Sequence, residues 1–563
     1  MVDLKGKPFY LDDEQIKWVE ETRDSMTDDE KAEQLLCPLM FSDDENVLKG
    51  IISSHNFGAV MFRSGVAEKV QKNLNEMQKV SKVPLLIAAN LEEGGCGVAV
   101  EGTSMGRQML VAATDNEERA YQLGKICGSE GGALGFNWSF APVLDLDMNC
   151  HNPITNVRTY GSDVDRVIRM GKNYIKGLTE EGLAPCIKHF PGDGVDERDQ
   201  HLLTSVNDLT IEQWENSYGK IYRTMIEDGA LTAMIGHIAM PAMEEAVSGE
   251  PCNEVIPASL SKNIMTGYLR EKLGFNGLIS TDASPMVGFL SNSTRRESVP
   301  GCIENGADVL LFNKDVDEDI MYMKEGIKNG LLSRERLDDA VTRILATKAA
   351  LKLNKHKEDG TLYKTTEQAN VVGCGQYQNW AKEVADEGIT IVKDMENALP
   401  VTPAKYKKVL LEILGEGDNE AVKAQVLKRL EDEGFEVTLY VPETPENIFL
   451  DGAVEKFKSK YDLVLYVSNV ETASNKTVAR INWHTLFGAG NNLPWFVKEV
   501  PTVFVSLGNP YHLLDVPMMK TFINSYSNVP HVIDATMDKL FGKSEFKGTS
   551  PVDAFCGRWD TRL

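Results

Sequence analysis

Over roughly its first 350 residues the chain alternates short apolar, β-branched runs with longer stretches of helical spacing, and eight such pairs can be counted. The strands are expected at 34–40, 58–62, 84–90, 137–144, 184–190, 231–238, 277–281 and 307–312. The segments 114–134, 163–180, 210–228 and 261–273 carry the helical period, most of them opened by Ser, Thr or Asp at the capping position. A strand that must run parallel to its predecessor needs a crossover, and eight βα units in series favour closure into a (β/α)8 barrel of the TIM type. In that fold, function sits where strands end and βα loops begin. The chain places polar residues there: Glu92 and Glu93 after the third strand, Asp145 after the fourth, Lys188 and His189 at the end of the fifth, His237 after the sixth and Asp282 after the seventh.

Two features carry chemistry. The fifth strand runs Lys188-His189-Phe190-Pro191-Gly192 into a loop containing Asp199-Gln200-His201, and the seventh delivers Thr281-Asp282-Ala283. A His/Asp pair and a lone carboxylate from separate strand ends are the minimum for cutting a glycosidic bond, one group protonating the leaving oxygen and the other attacking the sugar carbon. Taken alone, each has a plainer reading. Thr-Asp after a strand is the usual helix cap, Asp-x-His in an acidic loop is a solvated turn, and a buried lysine belongs to a salt bridge.

Acidic residues outnumber basic ones 84 to 59, a net charge of −25, which opposes nucleic acid or anionic membrane as a partner. Nine cysteines without CxxC spacing argue against a disulfide framework or zinc knuckle. The N-terminus has no basic-then-apolar leader, and no long apolar run occurs, so a cytoplasmic location is expected. The strand-end histidines lack a set such as HExxH, so no metal and no cofactor is expected.

The barrel is expected over 1–354, a polar linker over 355–375, and a C-terminal α/β sandwich over 376–563, with strands near 389–392, 409–414, 437–441, 463–467 and 502–507. Neither a GxGxxG after its first strand nor a GxxxxGK[ST] loop occurs there, so nucleotide binding has no support. Packing against the barrel or building a homodimer contact is the task expected of it.

Taken together these residues resemble glycoside hydrolase family 3, in its β-N-acetylglucosaminidase (β-N-acetylhexosaminidase) branch. That branch reads KHFPGHGD followed at fixed spacing by DSH, and Lys188 to Gly192, Gly194, Asp199 and His201 fall in register. Ala141-Pro142-Val143-Leu144-Asp145, Arg158-Thr159-Tyr160-Gly161-Ser162-Asp163 and Gly306-Ala307-Asp308 recur as well. The resemblance implies a retaining mechanism with Asp282 as nucleophile and His201 as acid/base, oriented by Asp199. It also implies sugar contacts from Lys188, His189 and Arg158, a supporting His237, and an Asp145 that either binds the sugar or braces that arginine. Where the branch carries DxEGGR this chain has Asn90-Leu91-Glu92-Glu93-Gly94-Gly95-Cys96, so Asn90 and Glu92 are the candidates for gripping outer hydroxyls. In the fifth-strand loop, Asp193 replaces the central histidine, changing the loop's charge.

The expected substrate is a small β-linked N-acetylhexosaminide or amino-sugar oligosaccharide. Three alternatives stay open: a phosphorylase with phosphate as acceptor, a β-glucosidase or β-xylosidase using Glu416 or Glu471 of the second domain, and a sugar-binding barrel without catalysis.

Overall fold

The computed structural model describes residues 2–415, 419–441, 453–486, 489–490 and 492–563. They form two compact units, and the division is not a single cut. The first comprises Met1–Ser104, Ala120–Asn149 and Val164–Gln378; the second comprises Met105–Arg119, Cys150–Asp163 and Asn379–Leu563.

The first unit is the barrel. Its strands are β1 (Leu36–Cys37), β2 (Leu39–Met40), β3 (Ala59–Phe62), β4 (Leu86–Ala89), β5 (Trp138–Ser139), β6 (Ala184–Phe190), β8 (Thr232–Ile235), β10 (Leu278–Ala283) and β11 (Val309–Leu311), all parallel. A short parallel pair, β7 (Ser205–Val206) with β9 (Ile238–Ala239), lies outside this sheet. The single first strand expected over 34–40 is two, because Pro38 has no N–H to give the ladder. Its halves face opposite neighbours: β1 pairs with β11 through Leu36↔Leu310, and β2 with β3 through Leu39↔Met61. One stretch of chain thus joins the first and last strands of the order. Pro142 likewise shortens the fourth expected strand to β5, and pairing resumes only at the isolated Val143↔Lys188 bridge.

The interior is packed. All seven residues of β6 are buried, and Phe190 meets Tyr222 and Trp214 edge-on at 5.0 and 5.9 Å. Burying such a ring contributes about 2–3 kcal/mol. The Trp214 indole donates to the Pro191 carbonyl at 2.7 Å, so the point where β6 gives way to its loop is held by packing and by a hydrogen bond. The stretch 355–375, expected as a linker, lies in the first unit, where Leu353–Glu358 is helical with Leu353 buried.

The second unit holds a six-stranded sheet of β12 (Thr390–Asp394), β13 (Lys408–Leu414), β14 (Glu436–Leu439), β15 (Leu463–Ser468), β18 (Thr502–Ser506) and β19 (Thr521–Asn524), in the order β12-β19-β18-β15-β13-β14. β16 (Thr485–Leu486) and β17 (Ala489–Gly490) form a separate antiparallel pair. The sheet is parallel except for β12, which runs antiparallel to β19. Five of the six strands were expected. Thr521–Asn524 was not, its four residues being too short a run to declare a period. Among the described residues no helix is long and apolar enough to cross a membrane.

Candidate active site

Side chains of successive strand residues point to opposite faces, so Lys188 and His189 should not serve one site. A β-bulge changes this: Ile187 pairs with Ala233 but Phe190 pairs with Ile235, three steps on β6 against two on β8. The same irregularity occurs on β10, where Ser280 pairs with Val309 and Ala283 with Leu311, placing Thr281 and Asp282 in the extra step. Both strands that carry the key residues are thus re-aimed where those residues sit.

The bulge on β6 sends its two polar side chains to two acids. Lys188 Nζ donates to Glu92 Oε1 at 2.7 Å, and the lysine is only 3% exposed. The plain reading of a buried salt bridge is therefore realised at the barrel mouth. His189 Nδ1 donates to Asp145 Oδ2 at 2.6 Å, and its backbone N–H donates to Oδ1 of the same carboxylate at 3.1 Å. Asp145 also accepts from the Asp193 amide at 2.8 Å, so it braces the imidazole and the start of the loop together. This orientation carries His189 Nε2 to 4.0 Å from Asp282 Oδ2.

Asp282 accepts at Oδ1 from the Ala283 amide at 2.7 Å. Burial pushes its pKa upward, but the neighbouring imidazoles of His189, His237 and His201 together with that amide prevail and hold it below the ordinary carboxylate value. The group is an anion at neutral pH.

The loop of Asp199 and His201 is built as a clamp. Asp199 Oδ1 accepts from His201 Nδ1 at 2.7 Å and from the His201 amide at 2.9 Å; Asp199 is fully buried while His201 is 26% exposed. With Nδ1 donating to Asp199, the tautomer and the ring's orientation are set. The loop is also tied to the segment following Asp282: the Val287 amide donates to the His201 carbonyl and the Gly288 amide to the Gln200 carbonyl, both at 3.1 Å. A Cβ on Gly288 would stand 2.7 Å from the Gln200 carbonyl oxygen, so glycine is required for this approach.

His237 is fully buried, and burial pushes its pKa down. A neutral ring accepts at Nδ1 from the Ser259 hydroxyl at 2.7 Å and donates from Nε2 to the Ala283 carbonyl at 3.0 Å, steadying the residue next to Asp282. Gln200 links the two halves, donating to Asp193 Oδ2 at 3.0 Å and accepting the His237 amide at 2.7 Å. Asp193 is itself buried, and its carboxylate also accepts the Gly194 amide, so its charge is spent inside the loop.

The structure thus brings together Glu92, Asp145, Lys188, His189, Asp199, His201, His237 and Asp282. Asn90 is exposed at the end of β4. Arg158 belongs to the second compact unit, in the turn Asn156–Arg158. Glu471 pairs with Arg107 at 3.6 Å within that unit, and Glu416 lies outside the described residues. Sequence reasoning passed over Gln200 and Ser259. Gln200 stood between the two residues of interest, yet nothing local tells an inward glutamine from a solvated one. Ser259 lies 22 positions from His237 with no motif joining them. Among the described residues no group of three or more His, Cys, Asp or Glu side chains is arranged to hold a metal ion.

Residues 27–347 match the family described as Glycosyl hydrolase family 3 N terminal domain. The chain is 42% identical, over the full length of both, to a protein of Cellulomonas fimi named beta-N-acetylglucosaminidase/beta-glucosidase. A solved structure named beta-glucoside phosphorylase BglX is 44% identical, covers 99% of each chain and superposes with a TM-score of 0.93. A glycoside hydrolase family 3 beta-N-acetylglucosaminidase of Paenibacillus sp. str. FPU-7, 24% identical over 95% of this chain and 100% of its own, shares the fold with a TM-score of 0.78.

Proposed function

This chain belongs to glycosyl hydrolase family 3 and is a glycoside hydrolase, and we propose that it acts by retention on a small β-linked glycoside of N-acetylglucosamine or glucose. Asp282 is the nucleophile and His201 the acid/base. The observation that carries this reading is the clamp that ties the Asp199–His201 pair by its backbone to the segment just after Asp282. An ionised carboxylate and an imidazole of fixed tautomer then serve one pocket.

In the first step Asp282 attacks the anomeric carbon while His201 Nε2 gives its proton to the leaving oxygen. In the second step His201 takes a proton from the acceptor as the acceptor displaces Asp282. Asp199 stabilises the imidazolium that gives its proton in the first step and is regenerated in the second. Lys188 and His189 donate to sugar hydroxyls, with Glu92 and Asp145 holding them in place, and Asn90 reaches an outer hydroxyl. The sugar follows the names of the relatives, which include N-acetylglucosaminide and glucoside.

A second reading of the acceptor has its own support. A carboxylate acid/base repels an incoming phosphate, and an imidazole does not. The similar structure named as a phosphorylase points the same way. Aryl β-glycosides of N-acetylglucosamine, N-acetylgalactosamine, glucose and xylose, each assayed with and without phosphate, test both. Turnover of the N-acetylglucosaminide or glucoside is expected, and a sugar phosphate formed at the expense of free sugar identifies phosphate as acceptor. Silence across the panel overturns the proposal.

A further inference from the structure

The two sides of the scissile bond meet different chemistry. On the sugar side stand Lys188 with Glu92 and His189 with Asp145, charged groups suited to hydroxyls. Beside His201 the character changes. Leu203, two residues on, is 36% exposed; Val287, whose amide is bonded to the His201 carbonyl, is 42% exposed; Pro285 between Asp282 and Val287 is exposed too. The backbone under them is stiff. Besides the bonds from Val287 and Gly288, the Thr204 hydroxyl donates to the Gly288 carbonyl at 3.0 Å, and the Asn292 amide donates to the Thr204 hydroxyl at 3.0 Å and to the Gly288 carbonyl at 2.8 Å.

Exposed apolar side chains carried on hydrogen-bonded backbone beside reactive groups point to a binding surface. A leaving group must lie against the residue that protonates it. We infer that Leu203, Pro285 and Val287 form the leaving-group subsite, and that it takes an apolar alkyl or aryl aglycone rather than a second sugar. This rests on His201 being the acid/base. A sugar aglycone would lay its hydroxyls on this lip and lose water partners without replacement.

Two substrate series separate the two claims. Straight-chain alkyl β-glycosides vary in apolar length at nearly constant leaving-group basicity, so they read the lip. In the wild type kcat/KM is expected to rise about twofold per added methylene over the first few carbons, half on a logarithmic scale of the roughly fourfold that complete burial gives. In Leu203→Ser and Val287→Ser the slope should flatten. The slope, unlike the absolute rate, is not moved by a general loss of activity or by partial misfolding. Aryl β-glycosides of graded leaving-group pKa read His201: in His201→Ala the dependence on that pKa should steepen. A flat alkyl series in the wild type, an unchanged slope in both lip variants, or a preference for a disaccharide of the same sugar over the alkyl glycosides overturns the subsite. An aryl series unchanged by His201→Ala removes the acid/base reading on which it rests, and is recognisable as that failure whatever the alkyl series shows.

Discussion

Two aspartates of the barrel lie at opposite ends of neighbouring strands and are treated in opposite ways. Asp282 ends β10 on the face where the loops carry chemistry; Asp308 precedes β11 at the other end, where its carboxylate accepts the Ile279 amide at 2.8 Å. Both are held below the ordinary carboxylate pKa although burial pushes each of them up. The compensating groups differ. Asp308 is fully buried and accepts from Arg270 and Arg336 at 2.6 Å each, with Arg343 at 4.0 Å. Asp282 faces histidines, the nearest ring nitrogen at 4.0 Å. Guanidinium is permanently charged and bonds directly, so Asp308 has nothing left to react with. The histidines stand off, so Asp282 is held below the ordinary carboxylate value without a close, direct ion pair. The same residue type is a structural anion at one end and, in the proposed mechanism, the nucleophile at the other.

Substitution should split the pair. Asp282→Asn is expected to lower turnover by roughly 10³-fold or more, because the attacking group is gone, while the melting temperature stays near that of the wild type. Steady-state rates and calorimetry on the same sample check this. Asp308→Ala should do the reverse. Arg270 loses its carboxylate partner and Arg336 and Arg343 are left to share Asp339, which costs about 3–5 kcal/mol of stability, while the rate per folded molecule changes little. Denaturant unfolding read beside active-site titration measures it. Since the pKa of Asp308 is depressed on folding, its stabilisation is present above the unfolded value near pH 4 and is lost as pH falls further. Acid unfolding of the wild type should therefore steepen below about pH 4.

Glu412, in the middle of β13, sharpens the comparison by having neither kind of partner. It is buried, its Oε1 has no hydrogen-bond partner among the described residues, and burial pushes its pKa well above the usual range. Here the sign reverses: the unfolded chain releases this proton near pH 4.5 and the folded chain keeps it, so stability falls as pH rises from there toward the folded value. Glu412→Met should raise stability at pH 8 by about 1–3 kcal/mol and flatten that decline, as thermal melts across pH would show. The smallest effect belongs to Gln200→Ala. Removing two buried hydrogen bonds should cost about 1–2 kcal/mol and about tenfold in kcat/KM, with rescue by Gln200→Glu weaker than by the amide itself.

The architecture was legible because eight alternations of period leave few topologies, and the strand-end rule then told where to look. Lys188, His189 and Asp282 could be named because each ends or follows an apolar run, and Asp199 and His201 because their distance from Lys188-His189 matches the motif of the family branch. The bulges on β6 and β10 were not legible: they depend on register with neighbouring strands, which no local pattern records. The same holds for the splitting of the first strand, where Pro38 was visible but the two pairing partners of the halves were not. Tertiary partners such as Ser259 for His237, or three arginines for Asp308, lie tens of residues away and share no period. The grouping of 105–119 and 150–163 with the second compact unit has the same origin: a segment between strands declares its length in sequence but not what it packs with.

The central claim is that Asp282 carries the sugar between the two steps. The direct test is to treat the protein with an activated 2-deoxy-2-fluoro β-glucoside, whose glycosyl-enzyme turns over slowly, and to map the label by peptide mass spectrometry. A single adduct on the peptide containing Asp282, absent in Asp282→Asn and discharged by water or phosphate, is the result predicted. A stable adduct on Glu92, Asp145 or any other carboxylate, or rapid turnover of the unfluorinated glycoside by Asp282→Asn, would contradict it.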